Sequence, residues 1–339
     1  MQRQVWRTAR AGNIARLQQR TETLPPLADD QVRVQVSAVG LNFADIFALT
    51  GLYSATPKGS FIPGLEFAGT VLASGSRSGR WQPGDQVLGV TRFGGYASVI
   101  DSAPGALYAL PEGWEPAQGA AWPAQTLTAW YALRELGNLQ PDQQVLIHSA
   151  AGGVGLQAMQ LARALGASPV GTVGHSDKLA LLQTLGFESL LVRERDFGAQ
   201  LQAAGLSFDL VLDAIGGRVQ RDSFAALRPM GRLVVFGAAE FTPTRQRPDY
   251  LRALWRYLRR PRYDIMAMIS DNRSVMAFNL IWLWDQIERL APMLDTVQKM
   301  QIPPPHVGHR FPFADAPAAL DCLKSGRSEG KVVLLLEQP

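Results

Sequence analysis

The spacing of apolar positions changes once along this chain. Over roughly the first 120 residues they come in short alternating runs broken by Gly and Pro. Val32 to Val39, Gly69 to Ala73 and Gln86 to Val90 are such runs, with Pro83-Gly84-Asp85 as a turn before the last. That spacing predicts an antiparallel, loop-rich domain. From Ala124 onward strands alternate with helices. Val145 to Ser149 reads as a buried strand, Gly155 to Leu165 as a helix, Pro169 to Val173 as a second strand and Lys178 to Leu185 as a second helix. Leu190 to Val192, Phe208 to Asp213 and Leu233 to Phe236 complete the series. Alternation of this kind predicts βαβ units and a parallel sheet covered on both faces. Strand character returns at Lys331 to Leu336, so the C-terminal end is expected to fold back onto the first domain.

A chain of 339 residues exceeds what one core usually supports. The rhythm divides it into residues 1–123 with 300–339, and residues 124–299. Apolar content of 47% and charged content of 18% exclude a disordered chain. No run approaches the ~18 apolar residues of a membrane span; the densest, Met276 to Trp284, is interrupted by Asn279. The first residues run straight into a strand pattern and lack the apolar core of a secretion signal, so a cytoplasmic protein is expected. The single cysteine, Cys322, excludes an internal disulfide and any multi-cysteine metal site. The net charge of +4 is a local feature. Residues 245–262 hold seven arginines against Asp249 alone, a segment of +6, which leaves the remainder at −2. A nucleic-acid partner is therefore not expected.

The strongest local motif is Val145-Leu-Ile-His-Ser-Ala-Ala-Gly-Gly-Val-Gly155. It has the form of a dinucleotide loop, with Ala150 at the first glycine place, followed by Gly152, Gly153, Val154 and Gly155. A small residue permits the tight turn, Gly152 lets backbone approach a pyrophosphate, and Gly155 lets the helix pack on the strand. The helix start then offers N–H groups and a partial positive charge to phosphate. Glycine-rich turns are common, but this one follows a strand, opens a helix and begins the βαβ series. An NAD site wants an acid at the end of the second strand, about twenty residues further on. Here Gly174 stands at that place, leaving room for a 2′-phosphate, with Ser176 and Lys178 as donors. NADPH is the expected cofactor. The competing reading has Ser176 only capping a helix and Lys178 solvated.

Beyond the loop, Gly40-Leu-Asn-Phe-Ala-Asp45, Gly51-Leu-Tyr53, Pro63-Gly-Leu-Glu-Phe-Ala-Gly69, Asp209 to Gly217, Gly231 to Gly237 and Gly330 to Leu334 follow one another in order. Together they resemble the quinone oxidoreductase branch of the medium-chain dehydrogenases/reductases, which includes zeta-crystallin. The stretch Asp271 to Leu283 and the insertion before it are similar to the vesicle amine transport protein subgroup. The resemblance implies an α/β protein, with a GroES-like β-rich catalytic domain formed by both chain ends and a Rossmann doubly wound parallel sheet. It also implies a homodimer, for which Ser274 to Ile281 is the candidate edge. Gly216, Phe236, Gly237, Asn279 and Lys331 join the expected cofactor contacts.

The zinc alcohol dehydrogenases of the same superfamily hold their metal with a cysteine, a His-Glu pair and a further cysteine. The matching positions here read Asn42 and Leu65-Glu66, far short of the three protein ligands a catalytic zinc requires, so no metal is expected. His306 and His309 lack a third ligand and read as ordinary loop histidines. Without a Lewis acid, hydrogen-bond donors must polarise the substrate carbonyl. The resemblance places Asn42 beside nicotinamide and substrate, Tyr53 at the pocket and Thr128 near the ring. The competing roles are backbone satisfaction for Asn42 and packing for Tyr53. Quinone reductases often carry a tyrosine after the third strand, near the adenosine phosphate; this chain has Arg193, which can replace it.

Leu251, Leu254, Trp255 and Leu258 share one helical face, with Arg252, Arg256 and Arg259 on a neighbouring one. Such a basic amphipathic helix suits weak contact with an anionic membrane through residues 251–260, or alternatively a cover for the cleft or a subunit contact. The sequence thus points to an NADPH-dependent, zinc-independent reductase of a small-molecule quinone or α,β-unsaturated carbonyl. The rival is a peripheral, lipid-associated nucleotide-binding protein with little or no reductase activity.

Overall fold

The computed structural model describes residues 1–337. Seven strands precede the change of rhythm: β1 (Gln2–Thr8), β2 (Leu17–Thr23), β3 (Val32–Gly40), β4 (Glu66–Ser74), β5 (Gln86–Val90), β6 (Val99–Ser102) and β7 (Leu107–Ala109). Six follow it: β8 (Gln144–His148), β9 (Ser168–Val173), β10 (Leu190–Val192), β11 (Phe208–Asp213), β12 (Leu227–Val235) and β13 (Ser274–Ala277). Two more, β14 (Val307–Pro312) and β15 (Lys331–Leu335), lie near the C-terminal end.

Val32, Val34 and Val36 turn inward at every second position of β3, as the pleat dictates. β3 lies inside a seven-stranded sheet in the order β14-β15-β3-β4-β5-β7, with β6 also paired to β3. β15 runs antiparallel to β3, Leu334 opposite Val39, so the C-terminal end does return to this sheet. Its apolar face packs against the helices Phe43–Thr50 and Ala316–Lys324 through Ile46, Leu49, Leu320 and Leu323.

The second sheet is parallel throughout, in the order β10-β9-β8-β11-β12-β13. Val145 and Ile147 pack to one side with Leu210 and Leu212, while Leu146 packs to the other with Val170, Val211 and Leu233. Burial on both faces is why these strands read as continuous apolar runs. The order reverses between β8 and β11, and a crevice outside the carboxyl ends of the strands is the expected ligand site. β13 stands at the sheet edge but ends at Ala277; the 3-10 turn Leu280–Gln286 replaces the rest of the stretch expected to reach Ile281. No helix among the described residues is long and apolar enough to cross a membrane.

Candidate active-site cleft

A cleft of about 1130 Å³ opens at that reversal point and runs between the two sheets. The turn after β8 shapes one wall. Ser149 takes a φ of 55°, a left-handed conformation uncommon for a residue with a Cβ, and Ala150 N–H bonds Thr172 O at 3.0 Å. The helix Gly153–Ala164 begins directly, its first repeating bond being Leu156 N–H to Gly152 O at 2.8 Å. The N–H groups of Gly153, Val154 and Gly155 precede that bond and belong to the end of the helix that attracts anions. A Cβ at Gly155 would sit 2.7 Å from Ala150 Cα, so packing demands the glycine. A Cβ at Gly152 would meet only Ser149 O at 3.2 Å, and Gly152 lines the cleft. The bare backbone at Gly152 leaves room for a ligand to approach it. Beside the loop, Gln125 Oε1 is buried without a hydrogen-bond partner. The residues present fit a dinucleotide.

Gly174, Lys178 and Arg193 also line the cleft. A Cβ at Gly174 would come 3.3 Å from an Arg193 nitrogen, so the guanidinium lies over the bare backbone. Lys178 Nζ donates to Gly326 O and Ser328 O, both at 2.7 Å, which leaves one of its three N–H groups. Burial lowers the pKa of Lys178 and of Arg193, the signature of cations drawn from water without a full countercharge. Arg193 is held from behind by a directed chain. It donates to Thr172 Oγ1 at 3.0 Å, and Thr172 Oγ1 lies 2.8 Å from His148 Nδ1. His148 Nε2 lies 2.8 Å from Ser223 Oγ, whose own hydroxyl donates to Val219 O. The Ser223 hydrogen is thus engaged, so His148 must donate from Nε2 and accept from Thr172 at Nδ1. Burial, reinforced by Arg193, pushes the His148 pKa down to about 3 and keeps it neutral.

At the opposite end lies a buried polar network that local sequence did not reveal. Lys331 Nζ donates to Glu66 Oε1 at 2.5 Å and to Asn42 Oδ1 at 2.8 Å. The Asn42 amide nitrogen donates to Glu66 Oε1 at 2.9 Å and, more weakly, to Gly40 O at 3.4 Å; Glu66 Oε2 accepts from Ala124 N–H. Asn42 lines the cleft, but its N–H groups are tied to Glu66 and Gly40. The donor expected of it is therefore not free; Lys331 also lines the cleft, paired with Glu66. Lys331, expected as a cofactor contact, is here the partner of Glu66. Among the described residues no three His, Cys, Asp or Glu side chains gather as metal ligands. His309 Nε2 accepts from Glu329 N–H instead.

Tyr53 lines the cleft and donates to Asn279 Oδ1 at 2.7 Å, joining the two sheets' loops across it. Burial raises the Tyr53 pKa to about 12, so the phenol stays protonated. Thr128 also lines the cleft, with its hydroxyl donated to Ala124 O. Phe236 and Gly237 line it beside Ala214. Three expected contacts do not. Ser176 is exposed on the turn ahead of the helix Leu179–Thr184, Ala150 is buried behind the loop, and Gly216 gives its N–H to Asp213. Segment 326–331 is fastened to the phosphate loop: Gly330 N–H bonds Ala151 O at 2.7 Å.

Residues 153–277 match the zinc-binding dehydrogenase family model, and residues 28–108 that of the alcohol dehydrogenase GroES-like domain. The synaptic vesicle membrane protein VAT-1 homolog of Danio rerio is 30% identical over 319 residues. That similarity covers 92% of this chain and 66% of the relative, so the chain spans just under two thirds of it. The quinone oxidoreductase of Thermus thermophilus, solved also in complex with NADPH, is 31% identical with a TM-score of 0.78. It covers 98% of this chain and 100% of its own. The CurK enoyl reductase is 27% identical, with a TM-score of 0.82 and 99% of each chain covered. This chain belongs to the medium-chain dehydrogenases/reductases, in the quinone oxidoreductase branch near the VAT-1 homologues.

Proposed function

We propose that this chain is an NADPH-dependent, zinc-independent reductase of a quinone or an α,β-unsaturated carbonyl compound. In this reading residues 124–299 hold the nucleotide, and residues 1–123 with 300–339 supply the substrate side. The carrying observation is one continuous cleft with a phosphate loop and two partly buried cations at one end and the Lys331–Glu66–Asn42 network at the other. The Thermus relative's complex with NADPH supports the cofactor, and the CurK enoyl reductase supports the enone alternative.

NADPH, when bound, supplies the hydride. Gly152 to Gly155 would receive its pyrophosphate, and Arg193 with the remaining Lys178 N–H its 2′-phosphate. As the substrate is reduced, negative charge develops on its carbonyl oxygen, and a fixed hydrogen-bond donor near that atom lowers the barrier. The remaining N–H of Lys331 would be that donor, with the side chain held in place by Glu66 and Asn42; Asn42 is a positioning residue. The Tyr53–Asn279 bond holds the cleft walls together. A cytoplasmic homodimer pairing through the β13 edge belongs to the same proposal.

The test is turnover of NADPH and of NADH with a panel of quinones and enones, before and after dialysis against a strong chelator. Turnover with NADPH that survives the chelator is the expected result. Stoichiometric zinc with chelator-sensitive turnover overturns the metal-free reading. The outward-facing apolar side chains of the helix Tyr250–Leu258 favour a second reading, peripheral contact with anionic membrane. Under its strongest form the protein binds nucleotide and lipid and turns over no acceptor.

A further inference from the structure

The outer side of the helix Tyr250–Leu258 has nothing packed on it. Leu251, Trp255 and Leu258 are 82%, 54% and 58% exposed; the next helix, Ile265–Asp271, also exposes apolar side chains but leads into the β13 edge proposed to pair with a second copy. Six of the fourteen exposed large apolar side chains among the described residues belong to the helix Tyr250–Leu258. Scattered exposed apolar residues are ordinary, whereas such a concentration marks a surface built to be covered.

The charge around this patch bears on what fits it. Six of the seven arginines between 245 and 262 are exposed, Arg256 being half-buried. Arg259 and Arg260 stack on Trp255 and Tyr257 at 4.3 and 3.9 Å, the aromatic–basic pairing suited to a membrane interface. The acids of the segment are engaged as helix caps: Asp249 accepts from Arg252 N–H and Asp264 from Met266 N–H. A second copy of this chain on the same patch would set two arginine clusters against each other, which opposes association. An anionic bilayer offers negative headgroups and an apolar layer together.

The inner side of the same helix faces the cleft. Tyr250, Ala253, Leu254 and Tyr257 line it, and Leu254 both lines it and is 55% exposed. One helix therefore borders both the proposed lipid surface and the mouth of the substrate cleft. We propose that the helix Tyr250–Leu258 lies on an anionic bilayer and that the cleft takes a long-chain, bilayer-dissolved quinone or enone past Leu254. This rests on the reductase reading and supplies its substrate class. Reduction of such a quinone to the quinol takes one hydride from NADPH and one proton from solvent.

The experiment compares wild type with the variant Arg252→Ala/Arg259→Ala/Arg260→Ala, none of which lines the cleft. Phosphatidylserine-containing and pure phosphatidylcholine vesicles carry a long-chain quinone, and a short-chain water-soluble quinone serves as control. Wild type should sediment with the anionic vesicles at low salt and turn over the embedded quinone faster there than in neutral ones. The variant should lose roughly 100-fold in vesicle partitioning, with a parallel loss on the embedded quinone. Its kcat/KM for the soluble quinone should stay within about twofold of wild type. Indifference of wild type to anionic vesicles overturns the proposal. So does equal turnover in both vesicle types, or a dimer that the variant dissociates, which would make the patch a subunit contact. Vesicle binding without turnover of either quinone would instead overturn the reductase reading, and the substrate with it.

Discussion

Lys331 and Glu66 are separated by 265 residues in sequence, and their side chains are 5% and 0% exposed. Breaking a buried pair by removing one partner costs about 3–5 kcal/mol, while replacing both costs little. Lys331→Met should accordingly lower the denaturation midpoint strongly, and Glu66→Gln/Lys331→Met should recover most of the loss. Refolded stability separates structure from chemistry. If Lys331 receives developing charge, the double variant stays roughly 10²–10³-fold low in kcat; wild-type turnover would reduce the pair to a structural tie. At the other end of the cleft, Arg193 belongs to the chain through Thr172 and His148. A hydrogen bond to a charged group is worth about 1.5–3 kcal/mol, so Arg193→Gln should weaken NADPH roughly 10–150-fold and leave NADH nearly unchanged. Thr172→Val, which frees the guanidinium without removing it, should shift the same preference less. Equal losses for both nucleotides in a titration would mean that Arg193 does not read the phosphate.

Within single elements, the helix Phe43–Thr50 begins on a buried acid. Asp45 accepts from Asn42 N–H at 2.8 Å, from Gly64 N–H at 3.1 Å and from the Tyr96 hydroxyl at 3.2 Å. Burial outweighs these bonds and raises its pKa from 3.8 to about 7. Across that interval the folded chain keeps a proton that the unfolded chain releases, so this group's contribution to stability falls as pH rises, by at most about 1.4 kcal/mol per pH unit. His148 acts oppositely. Its pKa falls from 6.5 to about 3, so its contribution is full above 6.5 and is lost as pH drops toward 3. Subtracting wild type from Asp45→Asn isolates the first effect. The stability difference should move in the variant's favour as pH rises from 3.8 to 7, and a flat difference would mean that Asp45 is charged in the fold. The parallel strands were legible because double-sided burial writes itself as unbroken apolar runs. The β1–β2 hairpin was not: β2 exposes most of Gln18 to Thr23 and leaves no alternation to read. The helix Ile287–Lys299 was hidden by Pro292, which reads as a breaker in sequence but sits within it.

For the molecule as a whole, the cleft is where the two sheets and the C-terminal segment 323–332 meet. Its nucleotide side was readable because loop, turn and helix are contiguous from Val145 to Gly155. Its substrate side was not, because the contact pairs are distant in sequence: Tyr53 with Asn279, and Asn42 with Lys331. Sequence named most of the members without their partners, and so gave Asn42 a free donor that Glu66 occupies. The central claim is that this cleft transfers hydride instead of only holding nucleotide. The most direct measurement follows deuterium from NADPH labelled at the transferring position of its nicotinamide into an enone, with chelator-dialysed protein. One deuterium on the β-carbon of the reduced product is the predicted result. Tight NADPH binding with no deuterium in any of a panel of enones, and no quinone reduced, would contradict it.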